Sequence, residues 1–121
     1  MLVLDLDGFK ALNDSAGHLA GDELLAVLAR RMQVCVRSGD LVARTGGDEF
    51  VIVLSGADVG PAIRALAGRL ESVLTAPVRL TTGLRRVGVS IGTAVEATPV
   101  PFERLLAEAD AEMYQAKKRR R

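Results

Sequence analysis

The chain has 121 residues, 49% hydrophobic and 26% charged, with a net charge of +1. That is enough for one domain with its own core and too little for two. A single cysteine, Cys35, excludes an intrachain disulfide. No apolar run reaches the roughly 18 residues of a membrane span, and the first residues lack the basic start and long apolar stretch of a signal peptide. A soluble, cytoplasmic chain with no membrane segment is therefore expected. Residues 117–121 are all Lys or Arg, so the rest of the chain carries 11 basic against 15 acidic residues. Aromatics make up only 3%, too few for the stacking surface of a typical nucleic-acid binder, so no nucleic-acid partner is expected.

In chain order, residues 1–5 form an apolar run ending in acid, which reads as a buried strand. A short helix is predicted over 8–16, with Asp7 placed to cap it. A longer helix follows from about 19 to 36, because Leu24, Leu25, Leu28, Met32 and Cys35 recur at three- and four-residue steps. Residues 41–44 and 50–54 read as strands joined at Gly46-Gly47, a pair that marks a tight hairpin with positive φ. Pro61 suits the first turn of a helix to residue 74, with Ile63, Leu66, Ala67, Leu70, Val73 and Leu74 inward. Residues 78–80 and 87–95 are predicted strands around the turn signal Thr82-Gly83. The last helix spans 102–118, with Phe102, Leu105, Leu106, Ala109, Met113 and Ala116 inward. Helices mixed with hairpins predict an α+β fold, a mostly antiparallel central sheet flanked by helices.

The chemistry concentrates at two strand ends. Alternation puts Asp5 and Asp7 on one side of the first strand and turns Leu6 inward. Asp48 and Glu49 open a second strand after the glycine pair. If these strands are neighbours, Asp5 and Asp48 converge, and two carboxylates at one point repel unless a cation lies between them. Oxygen ligands without a His/Cys set favour Mg²⁺ or Mn²⁺ over zinc. A bland reading stands beside this one: Asp7 only caps a helix, and Gly-Gly-Asp is only a hairpin.

The motifs carry a resemblance. Arg44-Thr45-Gly46-Gly47-Asp48-Glu49-Phe50 is similar to the signature of the GGDEF domain, the diguanylate cyclase family. The run from Asp5 to Asp14, with Asp5-Leu6-Asp7-Gly8-Phe9-Lys10 at its head, looks like that family's first strand and helix. Gly17-His18-Leu19-Ala20-Gly21-Asp22 resembles its Gly-His-x-x-Gly-Asp element, and Ser90-Ile91-Gly92 its late strand. Ala109-Asp110 and Tyr114-Gln115-Ala116-Lys117 resemble its last helix. The likeness spans nearly all of residues 1–121, taken as one domain.

The resemblance implies a palm-like, nucleotidyl-cyclase architecture with a ferredoxin-like βαββαβ core. It implies an enzyme that condenses two GTP into cyclic di-GMP and releases two pyrophosphates, with two copies of the domain each presenting one GTP. The metal, Mg²⁺ or Mn²⁺, would be held by Asp5, Asp48 and the backbone carbonyl of Leu6, and Glu49 would assist there or at the attacking 3′-hydroxyl. Gly46 and Gly47 would let the backbone pass close to the nucleotide. Asn13 and Asp22 would read guanine, whose N1–H and N2–H₂ a carboxylate can accept. Gly8, Phe9 and Lys10 would offer backbone amides to anions at a helix start, and Lys117 and Arg121 would hold terminal phosphates. Arg37 and Asp40 would form an inhibitory product site, completed by an arginine from elsewhere, for which Arg64 and Arg69 are the candidates.

Plainer readings remain for several of these. Asn13 and Asp22 also suit helix-end caps, and Arg37 with Asp40 suits a surface ion pair. Lys118 to Arg120 read as a solvated helix end whose cations offset the macrodipole. His18 reads as packing or capping, and Cys35 and Phe50 as core. The chain opens where the family normally has an additional helix and an Asp-x-Leu-Thr segment, so a domain lacking that helix is expected. The alternative to an active cyclase is a catalytically silent module that binds GTP or cyclic di-GMP.

Overall fold

The computed structural model describes residues 1–56 and 59–119. Its elements are β1 (Leu2–Asp7), α1 (Phe9–Ala16), α2 (His18–Cys35), β2 (Leu41–Arg44), β3 (Glu49–Val53) and α3 (Val59–Leu74). They continue with β4 (Val78–Leu80), β5 (Gly83–Arg85), β6 (Gly88–Thr93) and α4 (Phe102–Arg119).

Leu2, Val3, Leu4 and Leu6 make β1 apolar on both faces, and it lies inside the sheet. The order is β2-β3-β1-β6, with every neighbouring pair antiparallel. Taken with the helices between strands, this is the ferredoxin-like βαββαβ arrangement. One face carries Leu4, Leu6, Phe50, Ile52 and Val89, covered by α1, α2 and α3 through residues such as Leu24, Leu28 and Leu70. The other carries Met1, Val3 and Val51, covered by α4 through Ala109 and Met113.

Several sequence expectations need correction. The Thr82-Gly83 turn joins β4 to β5 in a separate two-stranded sheet, while β6 pairs with β1. Gly83 takes the positive φ that turn requires, but Gly46 and Gly47 do not have positive φ. The β2–β3 connection is a wider loop, closed by the Thr45 N–H donating to the Glu49 carbonyl at 3.0 Å, so it needs no two-residue turn. Asp7 does not cap α1. Gly8 holds the N-cap position with φ 84°, and no side chain bonds there. Neither Asn13 nor Asp22 caps by its side chain, since Gly17 flanks both helices. His18 opens α2 exposed, neither packing nor capping. Phe102 is also exposed rather than inward, since it opens α4 ahead of Leu105, Leu106, Ala109 and Met113, which meet the sheet.

Arg31 fastens α2 to the end of α3. Its guanidinium donates to the carbonyls of Val73 (3.0 Å), Ala76 (2.9 Å) and Pro77 (2.8 Å). The Val73 carbonyl is among the acceptors that the end of α3 leaves without helical partners, and Ala76 and Pro77 belong to the segment that follows.

Candidate active site

The register brings the acids together. Asp5 stands opposite Glu49 on β3 and opposite Ser90 on β6. The Leu6 N–H donates to the Asp48 carbonyl at 3.0 Å. A strand residue's N–H and C=O point to the same side, so the Leu6 carbonyl also faces the Asp48 segment. Arg44 shapes that segment, donating to the carbonyls of Gly46 (2.9 Å) and Gly47 (3.0 Å).

The Asp5 and Asp48 carboxyls come within hydrogen-bonding range. With both ionised, neither has a hydrogen to donate, and Asp5 Oδ1 is buried with no partner. Burial, then the charge of Asp5, holds Asp48 above the usual aspartate range, against a smaller lowering by Lys117. Burial and the Asp110 carboxylate likewise raise Glu49, and Asp110 is within hydrogen-bonding reach of it. Glu49 and Asp110 also line an open cavity of about 360 Å³ with Thr45 and Leu106.

Lys117 enters from α4. Its ammonium lies 2.9 Å from Asp5 Oδ2 and 3.9 Å from Asp7 Oδ1. Burial lowers its pKa, but the hydrogen bond and charge of Asp5, with Asp7 and Asp48, outweigh that and leave it raised. Asp7 is itself held by the fully buried Ser90, whose hydroxyl lies 3.0 Å from both carboxylate oxygens. α4 sits this close because Gly92 faces it: a Cβ there would fall on the Ala109 carbonyl and the Met113 amide.

Among the described residues no group of three His, Cys, Asp or Glu forms a ready metal cage. The donor set nonetheless fits a Mg²⁺-like ion. Such an ion commonly takes one or two carboxylates and fills its other positions with water and substrate phosphate. The orphaned Asp5 oxygen beside a second carboxylate and a carbonyl meets that description.

Other sequence-predicted residues lie elsewhere. Asn13 on α1 has a buried Oδ1 with no partner. It abuts Gly21 of α2, where a Cβ would fall on that oxygen, so Asp22 is in the same neighbourhood. Phe9 turns into the core and Lys10 is exposed, so of these two side chains only that of Lys10 is open to solvent. Arg37 and Asp40 stand at the opposite end of the sheet, where Leu41 pairs with Val53. The Arg37 N–H donates to Asp40 Oδ2 at 2.9 Å, and the side chains are 3.8 Å apart. They share a cavity of about 220 Å³ with Arg69, which donates to the Cys35 carbonyl at 3.1 Å. Arg64 does not line that cavity. Arg121 lies outside the described residues.

Arg44, Ser90, Gly92 and Asp110 shape this site, although the sequence alone assigns none of them a role. Alternation puts Ser90 and Gly92 on one face of β6, but only the pairing of β6 with β1 sets that face beside Asp5. Nothing local pointed to Asp110 beside Glu49.

The sheet order and the acids at one end of it define a domain of the nucleotidyl-cyclase class. The family model described as "Diguanylate cyclase, GGDEF domain" matches residues 1–121, and the chain belongs to that family. It is 41% identical over 117 residues to the diguanylate cyclase DgcM of Escherichia coli, covering 97% of this chain and 28% of that protein. It is 40% identical over 118 residues to the bifunctional diguanylate cyclase/cyclic di-GMP phosphodiesterase MucR of Pseudomonas aeruginosa, covering 97% and 17%. The chain thus spans under a third of either relative's length. Among solved structures, the GGDEF domain of TpbB (YfiN) from Pseudomonas aeruginosa superposes with a TM-score of 0.90 at 37% identity, covering 98% of this chain and 74% of that one. GGDEF diguanylate cyclases use a divalent metal. No described helix is long and apolar enough to cross a membrane.

The carboxylate shifts give a pH dependence. Asp48 and Glu49 are raised, so in the metal-free chain both favour the folded state in protonated form. That contribution is complete below the ordinary carboxylate range and is lost as pH rises through the raised values. A divalent ion competes with those protons. The rise in Tm on adding Mg²⁺ is therefore expected to grow between about pH 4 and pH 7. Calorimetry with and without Mg²⁺ checks this, and a Mg²⁺ effect that is flat over the range would contradict it.

Proposed function

We propose that this chain is a diguanylate cyclase domain acting in pairs, each copy binding one GTP. The 3′-hydroxyl of each nucleotide attacks the α-phosphate of the other. A bond forms from O3′ to phosphorus, and the bond from that phosphorus to the bridging oxygen breaks. Two turns of this close the ring of cyclic di-GMP and release two pyrophosphates. The observation that carries the reading is the convergence of Asp5 and Asp48, with one buried oxygen unpartnered.

Asp5, Asp48 and the Leu6 carbonyl would hold Mg²⁺ or Mn²⁺. The ion supplies neutralisation of the phosphate oxygens and polarisation of the reacting phosphorus. Glu49, whose carboxyl burial and Asp110 hold above the usual glutamate range, would take up the 3′-hydroxyl proton or support the ion. Gly46 and Gly47 leave room for close backbone approach. Lys117 and the amides at Gly8, Phe9 and Lys10 would meet the phosphates. Asn13, whose buried oxygen lacks a partner, and Asp22 would pair with the guanine edge. They would reject adenine by leaving polar groups unpaired. The protein's main work is positioning and charge neutralisation.

Incubation with GTP and Mg²⁺, followed by chromatography, tests this. Cyclic di-GMP and pyrophosphate are the expected products. Nucleotide binding without product would instead make the chain a silent binding module.

Arg37, Asp40 and Arg69 would bind the product. The guanidinium of Arg37 is 61% exposed while Asp40 is nearly buried, so a ligand can reach the arginine without breaking the core. Arg37→Ala is expected to relieve product inhibition with little change in initial rate, since the site lies at the far end of the sheet from Asp48. Progress curves that still slow at the same product level would remove this site from the account.

A further inference from the structure

Building on the metal-site reading above, we infer that Lys117 is the acid cluster's resident counter-ion, and that a divalent ion enters by displacing it, so that metal binding is coupled to nucleotide binding. The lysine is not a loose surface cation. Its ammonium touches Asp5 at 2.9 Å and faces Asp7 at 3.9 Å, in a setting where Lys117 is about a quarter exposed and Asp5 less. The two anions are themselves fixed, Asp5 by its place inside the sheet and Asp7 by the Ser90 hydroxyl. The helix that delivers the lysine is fixed as well. Gly92 admits its backbone, Met113 is buried one turn before Lys117, and Glu112 accepts from the Thr93 amide and hydroxyl at 3.2 Å.

A divalent ion needs the same carboxylates. Bound to Asp5 while the ammonium stays on the other oxygen, it would meet a like charge a few ångströms away in a partly desolvated site. The ammonium must withdraw, and its flexible four-carbon stem allows that. Without nucleotide it has only water to go to. With a triphosphate present, the phosphate oxygens receive it. Nucleotide and metal therefore favour each other, and metal alone is opposed.

The test titrates Mn²⁺ into the nucleotide-free chain, with free ion read by electron paramagnetic resonance. Lys117→Met keeps the length of the side chain and removes its charge. It is expected to bind Mn²⁺ at least about fivefold tighter than the unaltered chain, the low end of couplings between sites. Lys117→Gln repeats the measurement with a polar side chain should the methionine variant fail to fold. Lys117→Arg, which retains the charge, is expected to stay as weak as the parent.

Lys118→Met controls for net charge. Lys118 lies over the Tyr114 ring, 4.9 Å from its centroid, away from the acids, and its loss is expected to leave Mn²⁺ affinity unchanged. Equal affinity in the parent and Lys117→Met would overturn the inference, as would an equal gain in Lys118→Met. Adding Asp48→Asn to Lys117→Met is expected to abolish the gain. Mn²⁺ binding indifferent to Asp48→Asn would remove the metal site itself, a different failure from equal affinity at a site that still needs Asp48.

Discussion

Asp48→Asn is expected to lower cyclic di-GMP formation by on the order of 10³-fold, about 4 kcal/mol of lost transition-state stabilisation. The amide keeps the shape of the carboxylate and removes one of the two charges that would bind the ion. Stability is expected to move the other way. Burial and the Asp5 charge hold the Asp48 pKa above its ordinary range, so its ionised form is a burden on the metal-free fold at neutral pH. The amide removes that burden, while Lys117 keeps Asp5 and Asp7 as partners. Product chromatography and calorimetry on the same preparation check both halves. An undiminished rate would take Asp48 out of the metal site. A large fall in Tm would mean that the carboxylate serves the fold instead.

Gly92→Ala is expected to be the most damaging small change in the chain. The new methyl would fall on backbone atoms of Ala109 and Met113, and backbone cannot rotate aside as a side chain can. Forcing α4 off β6 opens the contacts of Val3, Val51, Ala109 and Met113. The cost is expected at about 3 kcal/mol, the upper end for overpacking. At this chain length that lowers Tm by roughly 10 °C. The helix takes Lys117 with it, so the lysine's contact with Asp5 is lost too. Thermal unfolding measures the first effect and Mg²⁺-dependent GTP affinity the second. A Tm within a degree of the parent would show that α4 does not depend on this contact.

Much of the arrangement was legible because it depends on local rules. The alternation of Leu4, Asp5, Leu6 and Asp7 placed two acids on one side of β1, and the strand does present them so. The three- and four-residue steps of Leu24, Leu28 and Met32 gave the buried face of α2. What could not be read depends on which elements become neighbours. Asp7 looked like a cap because nothing local reveals that Ser90 lies across from Asp5 and within reach of it. Thr82-Gly83 looked like the turn into the long late strand because sequence does not say which strand joins which sheet. Lys117 was legible as a phosphate ligand only through resemblance. Its position on Asp5 follows from where α4 crosses the sheet, which Gly92 decides.

The central claim is that Asp5 and Asp48 share one divalent ion against a guanosine triphosphate. Its most direct test is a crystal structure of the chain with Mn²⁺ and a non-hydrolysable GTP analogue, with the ion located by anomalous scattering. The expected result is a peak bridging the two carboxylates and the analogue's phosphates, with the Lys117 ammonium moved onto phosphate oxygen. A peak held by phosphate alone, with Lys117 still on Asp5, would contradict the account.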